Sequence, residues 1–316
     1  MTQIHPTAVI DPQAILGQEV KIGPYCVVGP GVVLGDGCEL MAHVTLLGPA
    51  EFGVCNVFYP HCVLGGAPQD LKYKGGPTRL VVGSHNAFRE HVTAHRGTEV
   101  DRRSGGVTRI GDHNLLMVGV HVAHDSDLGN HLLIANNVQI AGHVRIEDRV
   151  VVGGVAAMHH FVTIGRDAYV AGMTRVVHDV PPYMKVMGHA QTVRGVNSEG
   201  MRRWQIPEES IRNLRTAARL LYARRRNQLP LCTAAALSKI ESNGLMRDEH
   251  VAYLVGFVRR MLTSGKFGRV REHERSDVPE DRQWFYQAGT AGEADGLGGG
   301  EPDRSNRSDT SGTDER

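Results

Sequence analysis

The sequence predicts a mainly β chain: a parallel β-solenoid of hexapeptide repeats followed by a shorter α-helical segment. Three observations carry that prediction. An aliphatic or aromatic residue recurs at every sixth position through two long stretches. A small or β-branched residue usually stands two places before it. Glycine is abundant, at 38 of 316 residues, while aromatic residues make up only 5%, a balance that favours many turns over a mixed α/β core.

The first series runs Ile4, Ile10, Leu16, Ile22, Val28, Leu34, Leu40, Leu46, Phe52, Phe58, Leu64. The second runs Ile110, Leu116, Val122, Leu128, Ile134, Ile140, Ile146, Val152, Met158, Ile164, Val170, Val176. Neither the helical period of 3.6 nor plain alternation produces this pattern, whereas short strands separated by turns every six residues do. Taking the sixfold residue as position 1, the small residue (Ala8, Val20, Cys26, Val32, Cys38, Val44, then Val138, Val144, Val150, Ala156, Val162) is position 5, and both point inward. Such strands stack so that each coil covers the apolar rows of the next. The hexads resemble the left-handed β-helix family, whose triangular coil takes three hexads, or 18 residues. The handedness comes from that resemblance, since the general preference for right-handed crossovers predicts the opposite.

Residues 65–79 and 96–109 carry glycine and charge but no hexad, and are expected as external loops. The repeat ends near Pro181 and Pro182, so the solenoid is expected over residues 1–190. A helical domain follows over 191–274. Glu208 and Glu209 suit a first helical turn, Ile211, Leu214, Ala218, Leu221 and Tyr222 form an apolar face, and further helices are expected near 234–241 and 248–262. Residues 275–316 are polar and glycine-rich and are expected to be a disordered tail.

Composition narrows the function classes. The formal net charge is +1, and no aromatic-interleaved basic motif points to nucleic acid. Five cysteines without a CxxC pair, three of them at position 5, read as core thiols of a reducing compartment. No leader-like segment opens the chain and no apolar run reaches membrane-spanning length, so a cytoplasmic protein without stable membrane insertion is expected.

Histidine is the informative residue. Seven histidines (His43, His61, His85, His91, His113, His131, His143) share position 4, which reads as a turn habit. His121, at position 6, and His124 and His160, at position 3, escape it. An 18-residue step stacks His124, Gly142 and His160 in one column, with neighbouring coils about 4.8 Å apart, and sets Asp125 under His143. The glycine leaves a notch with an exposed backbone N–H between two histidines. Asn136, Gly154 and Gly172 form a second column, suited to a groove for something long and thin. In HVAHDSDLGN (121–130), the His-x-x-His spacing leaves metal ligation, general-base chemistry and packing all open. A zinc site needs a third ligand at about 2.0–2.1 Å from the metal, and these two histidines lie on a strand-turn path.

The segments QDLKYKGGPTR, HRGT, HNLLM, HVAHD, ANN, AGHV, MHHF, DVPPY and GVNSEG, in this order over residues 4–265, resemble the UDP-N-acetylglucosamine O-acyltransferase family of lipid A biosynthesis. The resemblance implies transfer of a β-hydroxyacyl chain from acyl carrier protein to the glucosamine 3-hydroxyl of UDP-N-acetylglucosamine, by a homotrimer with sites between subunits. It implies His124 as general base, Asp125 as its orienting partner and the Gly142 N–H as oxyanion donor, with no cofactor and no metal. It implies substrate contacts from Asp70, Lys72, His95, His121, His143, His159 and His160, a nucleotide set of Asn197, Glu199 and Arg203, and Gly172 as the residue that leaves room for the acyl chain. The plain alternatives are a solvated loop for Asp70 and Lys72 and ordinary turn use for Gly172.

Two positions depart from the family's pattern. His160 replaces its usual glutamine, and Trp204 replaces a second arginine, so that Arg202 shifts to compensate or the phosphates are held less tightly. Arginines 202, 203, 212, 215, 219, 224, 225 and 226 suit either a solvated helix face or the acidic acyl carrier protein. Four rivals remain. An N-acyltransferase with a separate N-terminal uridine-binding domain is disfavoured because hexads begin at Ile4; a variant acylating a 3-amino sugar nucleotide and, from other classes, a γ-class zinc carbonic anhydrase and a non-catalytic hexapeptide scaffold stay open.

Overall fold

The computed structural model describes residues 1–100, 104–222 and 232–275. The hexads form two- to four-residue strands on the three faces of a left-handed parallel β-helix. Face A begins with Gln3–Ile4, face B with Val9–Ile10 and face C with Ile15–Leu16, and the chain visits the faces in that order. Register steps by one 18-residue coil: Ile4 pairs with Ile22, Ile10 with Val28 and Leu16 with Leu34.

Each hexad position has its own physical duty. Position 1 fills the interior, where Leu34, Leu40, Leu46, Phe58 and Ile134 are buried, each contributing roughly 1.5–3 kcal/mol of apolar burial. Position 5 also points in. Beyond the small residues the sequence pattern shows, three asparagines occupy it: Asn56 Oδ1 accepts from the Asn86 backbone and side-chain N–H groups at 2.9 and 3.0 Å, and Asn86 Oδ1 accepts from Asn114 N at 2.9 Å. The ladder satisfies buried amides that would each cost about 1–3 kcal/mol unpaired. Position 4 turns the corner with a left-handed backbone. The seven position-4 histidines have φ between 56° and 66°, a region in which histidine, asparagine and aspartate are enriched. Among the described hexads outside the two insertions, the position-3 N–H makes no backbone-to-backbone bond to a neighbouring coil and pairs at most with a side chain, as Gln18 N does with Asp36 Oδ1, which is why prolines 6, 12, 24, 30 and 60 fit at this position.

Between the two insertions lies a coil that the sixfold series does not display. Arg79–Val82, Ala87–Phe88 and Thr93–His95 occupy faces C, A and B. Register there steps 30 residues, Phe52 to Val82, and then 28, Val82 to Ile110; the excess over 18 is carried by the two external loops. After the last coil, Met184–Met187 and Thr192–Val196 pair antiparallel and close face A. Helices α1 (Ser198–Arg203), α2 (Glu208–Tyr222), α3 (Thr233–Ser242) and α4 (Glu249–Thr263) follow. Their apolar faces form a second core with Tyr183 and Met184, through Ile211, Leu214, Ile240 and Leu254. Asp248 starts α4 by accepting from the N–H groups of His250 and Val251. Arg224, Arg225, Arg226 and the tail from 276 onward lie outside the described residues.

Candidate active site

His124 sits on the edge between faces B and C, where the strand His121–Val122 turns outward. It is buried, as is Asp125 beside it, at 6% and 2% exposure. His124 Nδ1 lies 2.9 Å from Asp125 Oδ2, which fixes the ring and leaves Nε2 as the working nitrogen. Asp125 is itself held by the second insertion. Its carboxylate accepts from Thr98 N (3.0 and 3.2 Å), Thr98 Oγ1 (2.8 Å) and Ser104 Oγ (2.7 Å), while its own N–H donates to Thr108 Oγ1 (2.8 Å). Five contacts of this kind lock an orienting carboxylate before any substrate arrives.

Gly142 lies under the ring. A Cβ placed there would stand 2.4 Å from His124 Cε1 and 2.6 Å from Nε2, so the ring occupies the notch that the glycine makes. Among the described residues the Gly142 N–H, at position 3, donates to no acceptor. His160 continues the column, its ring centroid 6.5 Å from that of His124. The second column is also present, with the backbones of Asn136, Gly154 and Gly172 close enough that a Cβ on Gly154 or Gly172 would meet the coil before it at 3.3 and 3.2 Å. Gly172 is exposed.

Several other named side chains converge on His124. Asp70, from the first insertion, places Oδ2 3.8 Å from His124 Nε2, and its Oδ1 accepts from the Lys72 N–H at 2.9 Å. His143 meets the His124 ring edge-on at 5.0 Å, with Nδ1 3.9 Å from Asp125 Oδ2. Asp70, His124 and His143 thus offer three donor atoms all within 4.8 Å of one another, a set that could hold a cation. On face B, His121 Nδ1 lies 2.8 Å from Thr93 Oγ1, and its ring is 4.9 Å from His95. Burial first, then the neighbouring His121 and His124, pushes His95 down to about 4, and burial, then His124, lowers His121. His160, although part of it stays exposed, is lowered by burial of the rest of its ring and then by His124, His143, His159 and Arg275. His159 lies 5.7 Å from His160 without reaching His124. His95, His121 and His160 are therefore neutral near pH 7.

Asn197, Glu199 and Arg203 do not join this cluster within one chain. Asn197 is buried as the cap of α1, donating to Asp167 O at 2.9 Å and accepting from Gly200 N, while Glu199 and Arg203 are exposed and 3.6 Å apart. Asp167 marks the edge between faces C and A, a different edge from that of His124. Thr98, Ser104 and Thr108, which hold Asp125, escape sequence reasoning because they lie in and beside an insertion with no period. Phe161 escapes it too. It takes position 4 one coil after His143 and stacks on that ring at 4.4 Å, a relation that an 18-residue step could have revealed.

The profile described as "Udp N-acetylglucosamine O-acyltransferase; Domain 2" matches residues 179–266, and the bacterial transferase hexapeptide family matches 1–36 and 13–48. An acyl-[acyl-carrier-protein]--UDP-N-acetylglucosamine O-acyltransferase from Verminephrobacter eiseniae is 43% identical over 236 residues, 75% of this chain and 89% of the relative. The enzyme of that name from Synechocystis is 52% identical over 69% of this chain and 78% of the relative. The crystal structure of a UDP-N-acetylglucosamine acyltransferase from Bacteroides fragilis superposes with a TM-score of 0.76, at 35% identity, over 81% of this chain and 97% of that one. The chain belongs to the acyl-[acyl-carrier-protein]--UDP-N-acetylglucosamine O-acyltransferase family.

Trp204, one of the two departures from the family's pattern, has local partners. Trp204 packs edge-on against His131 at 5.0 Å and under the Arg149 guanidinium at 5.6 Å, bracing α1 against the coil. Arg202 is bound to Glu208 through both oxygens. Among the described residues, no helix is long and apolar enough to cross a membrane.

Proposed function

We propose that this chain transfers a β-hydroxyacyl group from acyl carrier protein to the glucosamine 3-hydroxyl of UDP-N-acetylglucosamine, with His124 as the general base. Family membership carries the O-acyl transfer between these two reactants and disfavours the 3-amino-sugar and carbonic anhydrase readings. The observation that carries the mechanism is the buried His124–Asp125 pair, whose free Nε2 faces the notch at Gly142.

The chemistry follows from the geometry. Asp125 accepts a hydrogen bond from Nδ1–H, so the lone pair sits on Nε2 and takes the proton of the sugar hydroxyl as its oxygen attacks the thioester carbonyl carbon. Negative charge moves onto the carbonyl oxygen, where the unspent Gly142 N–H donates. The intermediate collapses with cleavage of the C–S bond, and the imidazolium returns its proton to the leaving thiolate. Asp70 and Lys72 hold the sugar nucleotide from the first insertion, His95, His121, His143, His159 and His160 line the acceptor and thioester path, and the groove through Gly172 receives the acyl chain. Asn197, Glu199 and Arg203 bind the nucleotide.

A homotrimer reconciles the two edges. The nucleotide set and the base lie on different edges of one prism, so a site that uses both is completed by a neighbouring copy. Arg212, Arg215 and Arg219 on α2 supply positive charge for the acidic carrier protein. The buried free thiols of Cys26, Cys38 and Cys62 suit the cytoplasm.

The test is to incubate the protein with UDP-N-acetylglucosamine, its 3-amino analogue and a panel of acyl carrier protein thioesters, and to read products by mass. An O-acylated UDP-N-acetylglucosamine made from hydroxyacyl thioesters is expected. Product from the amino sugar alone, or CO₂ hydration with stoichiometric zinc, overturns the reading.

A further inference from the structure

The segment just after α4 returns to the active-site edge. Residues 268–275 lie beyond the matched family profile, which ends at 266, and none of their residues has a part in the chemistry above. Yet they are anchored as firmly as a coil. Asp179, buried in the last turns of the solenoid, accepts from Thr163 N and Val270 N, both at 2.7 Å, so one carboxylate ties the coil to the segment. Asp179 N donates to Gly268 O at 2.8 Å, and buried Arg269 donates to Val177 O at 2.7 Å. Glu272 is also buried, and accepts from Arg269 at 2.7 Å and Arg275 at 2.8 Å.

Two guanidinium groups leave this anchored base and converge on one residue. Arg271 Nη1 donates to the His143 carbonyl at 3.0 Å, while its Nε is held by Glu274 at 2.9 Å. Arg275 lies 4.7 Å over the Phe161 ring, which in turn stacks on the His143 imidazole at 4.4 Å with an interplanar angle of 2°. His143 is thereby held twice, at its backbone and through its ring, and it is the residue that closes the pocket against His124 and Asp125.

We propose that residues 268–275 form a strap that clamps His143 in the acceptor site, with Arg271 and Arg275 as positioning residues for sugar-nucleotide binding. The inference rests on the acyl-transfer reading for its kinetic part alone. A cation–π contact and a charge-assisted hydrogen bond from a docked segment add to the backbone link of this left-handed corner, His143 N to His124 O, and fix the wall from outside the coil. Arg271 makes a single bond to the carbonyl, so a lysine can replace it where a neutral side chain cannot.

The experiment uses the full chain and two readouts. In Arg271→Ala, the KM for UDP-N-acetylglucosamine should rise about tenfold, as expected for losing a hydrogen bond from a charged donor, while kcat changes little. Arg271→Lys should recover most of the loss. A fraction of unfolded protein would lower kcat and leave KM alone, so the split separates clamping from mere destabilisation. Independently of turnover, carbethoxylation of His143 by diethyl pyrocarbonate, mapped by peptide mass, should become about fivefold faster in Arg271→Ala and in Arg275→Ala, with His85 unchanged. Wild-type KM together with wild-type His143 reactivity overturns the strap. If the wild-type chain transfers no acyl group, the functional reading falls by itself, and His143 reactivity then decides the strap alone.

Discussion

Gly142 and His124 are fitted to each other: a single methyl group on the glycine would stand 2.4 Å from the imidazole Cε1 and 2.6 Å from Nε2. Gly142 carries no left-handed backbone angle, so alanine is tolerated by the coil and refused only by the ring. Gly142→Ala should keep its secondary structure while kcat falls on the order of 10²-fold, the cost of misplacing a reacting group by about 1 Å. Circular dichroism with steady-state rates checks this. Wild-type kcat in a folded variant would show that the ring does not work from the position seen here.

Asp125 should matter more than its single contact with His124 conveys. Three donor groups, Thr98 N, Thr98 Oγ1 and Ser104 Oγ, address its carboxylate in addition to the imidazole. An amide in its place must turn its NH₂ toward one of these donors or toward Nδ1, which leaves a buried group unpaired or sets the wrong tautomer. Asp125→Asn should lower kcat by about 10²–10⁴-fold and stability by about 1–3 kcal/mol. Thr98→Val should reproduce a smaller part of the rate loss. Rates and denaturant melts of the two variants test the ordering.

These two predictions also mark where the sequence runs out. The solenoid was legible because position 1 repeats from Ile4 to Val176 and is buried from Ile22 onward. The His124–Gly142–His160 column followed from the 18-residue step. What stayed hidden came from segments without a period. The coil of Val82, Phe88 and Ala94 is bounded on both sides by insertions, so it extends neither series, and only His85 and His91 at position 4 mark its hexads in the sequence. Thr98 and Ser104 reach Asp125 only because the second insertion folds back, and no spacing rule encodes that return. Trp204 could be marked as unusual, but its partners His131 and Arg149 are set by the docking of α1. Arg271 lies in a charged stretch, 269–275, with no motif or period that names its partners.

Acidification should loosen the pocket through His95. Its pKa is pushed from 6.5 to about 4 by burial first and then by His121 and His124, and its buried Nδ1 has no hydrogen-bond partner among the described residues. The unfolded chain takes up this proton near 6.5 and the folded chain only near 4, so the unfolded state binds more protons between those values. The stability from neutral His95 is fully present above pH 6.5 and is lost as pH falls toward 4. His121 and His160, lowered in the same direction, add to the loss. In thermal melts from pH 7.5 to pH 4, the Tm difference between wild type and His95→Gln should shrink or reverse on the acidic side. A difference independent of pH would mean that His95 titrates alike in both states.

Metal and base compete for one lone pair at this site. Asp70, His124 and His143 place donor atoms within 4.8 Å of one another, and Asp125 on His124 Nδ1 resembles the outer carboxylate that orients a metal-bound histidine. Zinc bonds at about 2.0–2.1 Å would require these side chains to close inward, and the bond to Nε2 would remove the electrons that accept the hydroxyl proton. Added Zn²⁺ should therefore inhibit, competitively with UDP-N-acetylglucosamine, and Asp70→Asn should weaken the inhibition by about tenfold, the loss of one ligand's share of binding. Exhaustive treatment with EDTA should leave the rate unchanged. Loss of activity in EDTA with recovery on stoichiometric zinc would instead make the metal part of the catalyst and remove His124 from its role as base.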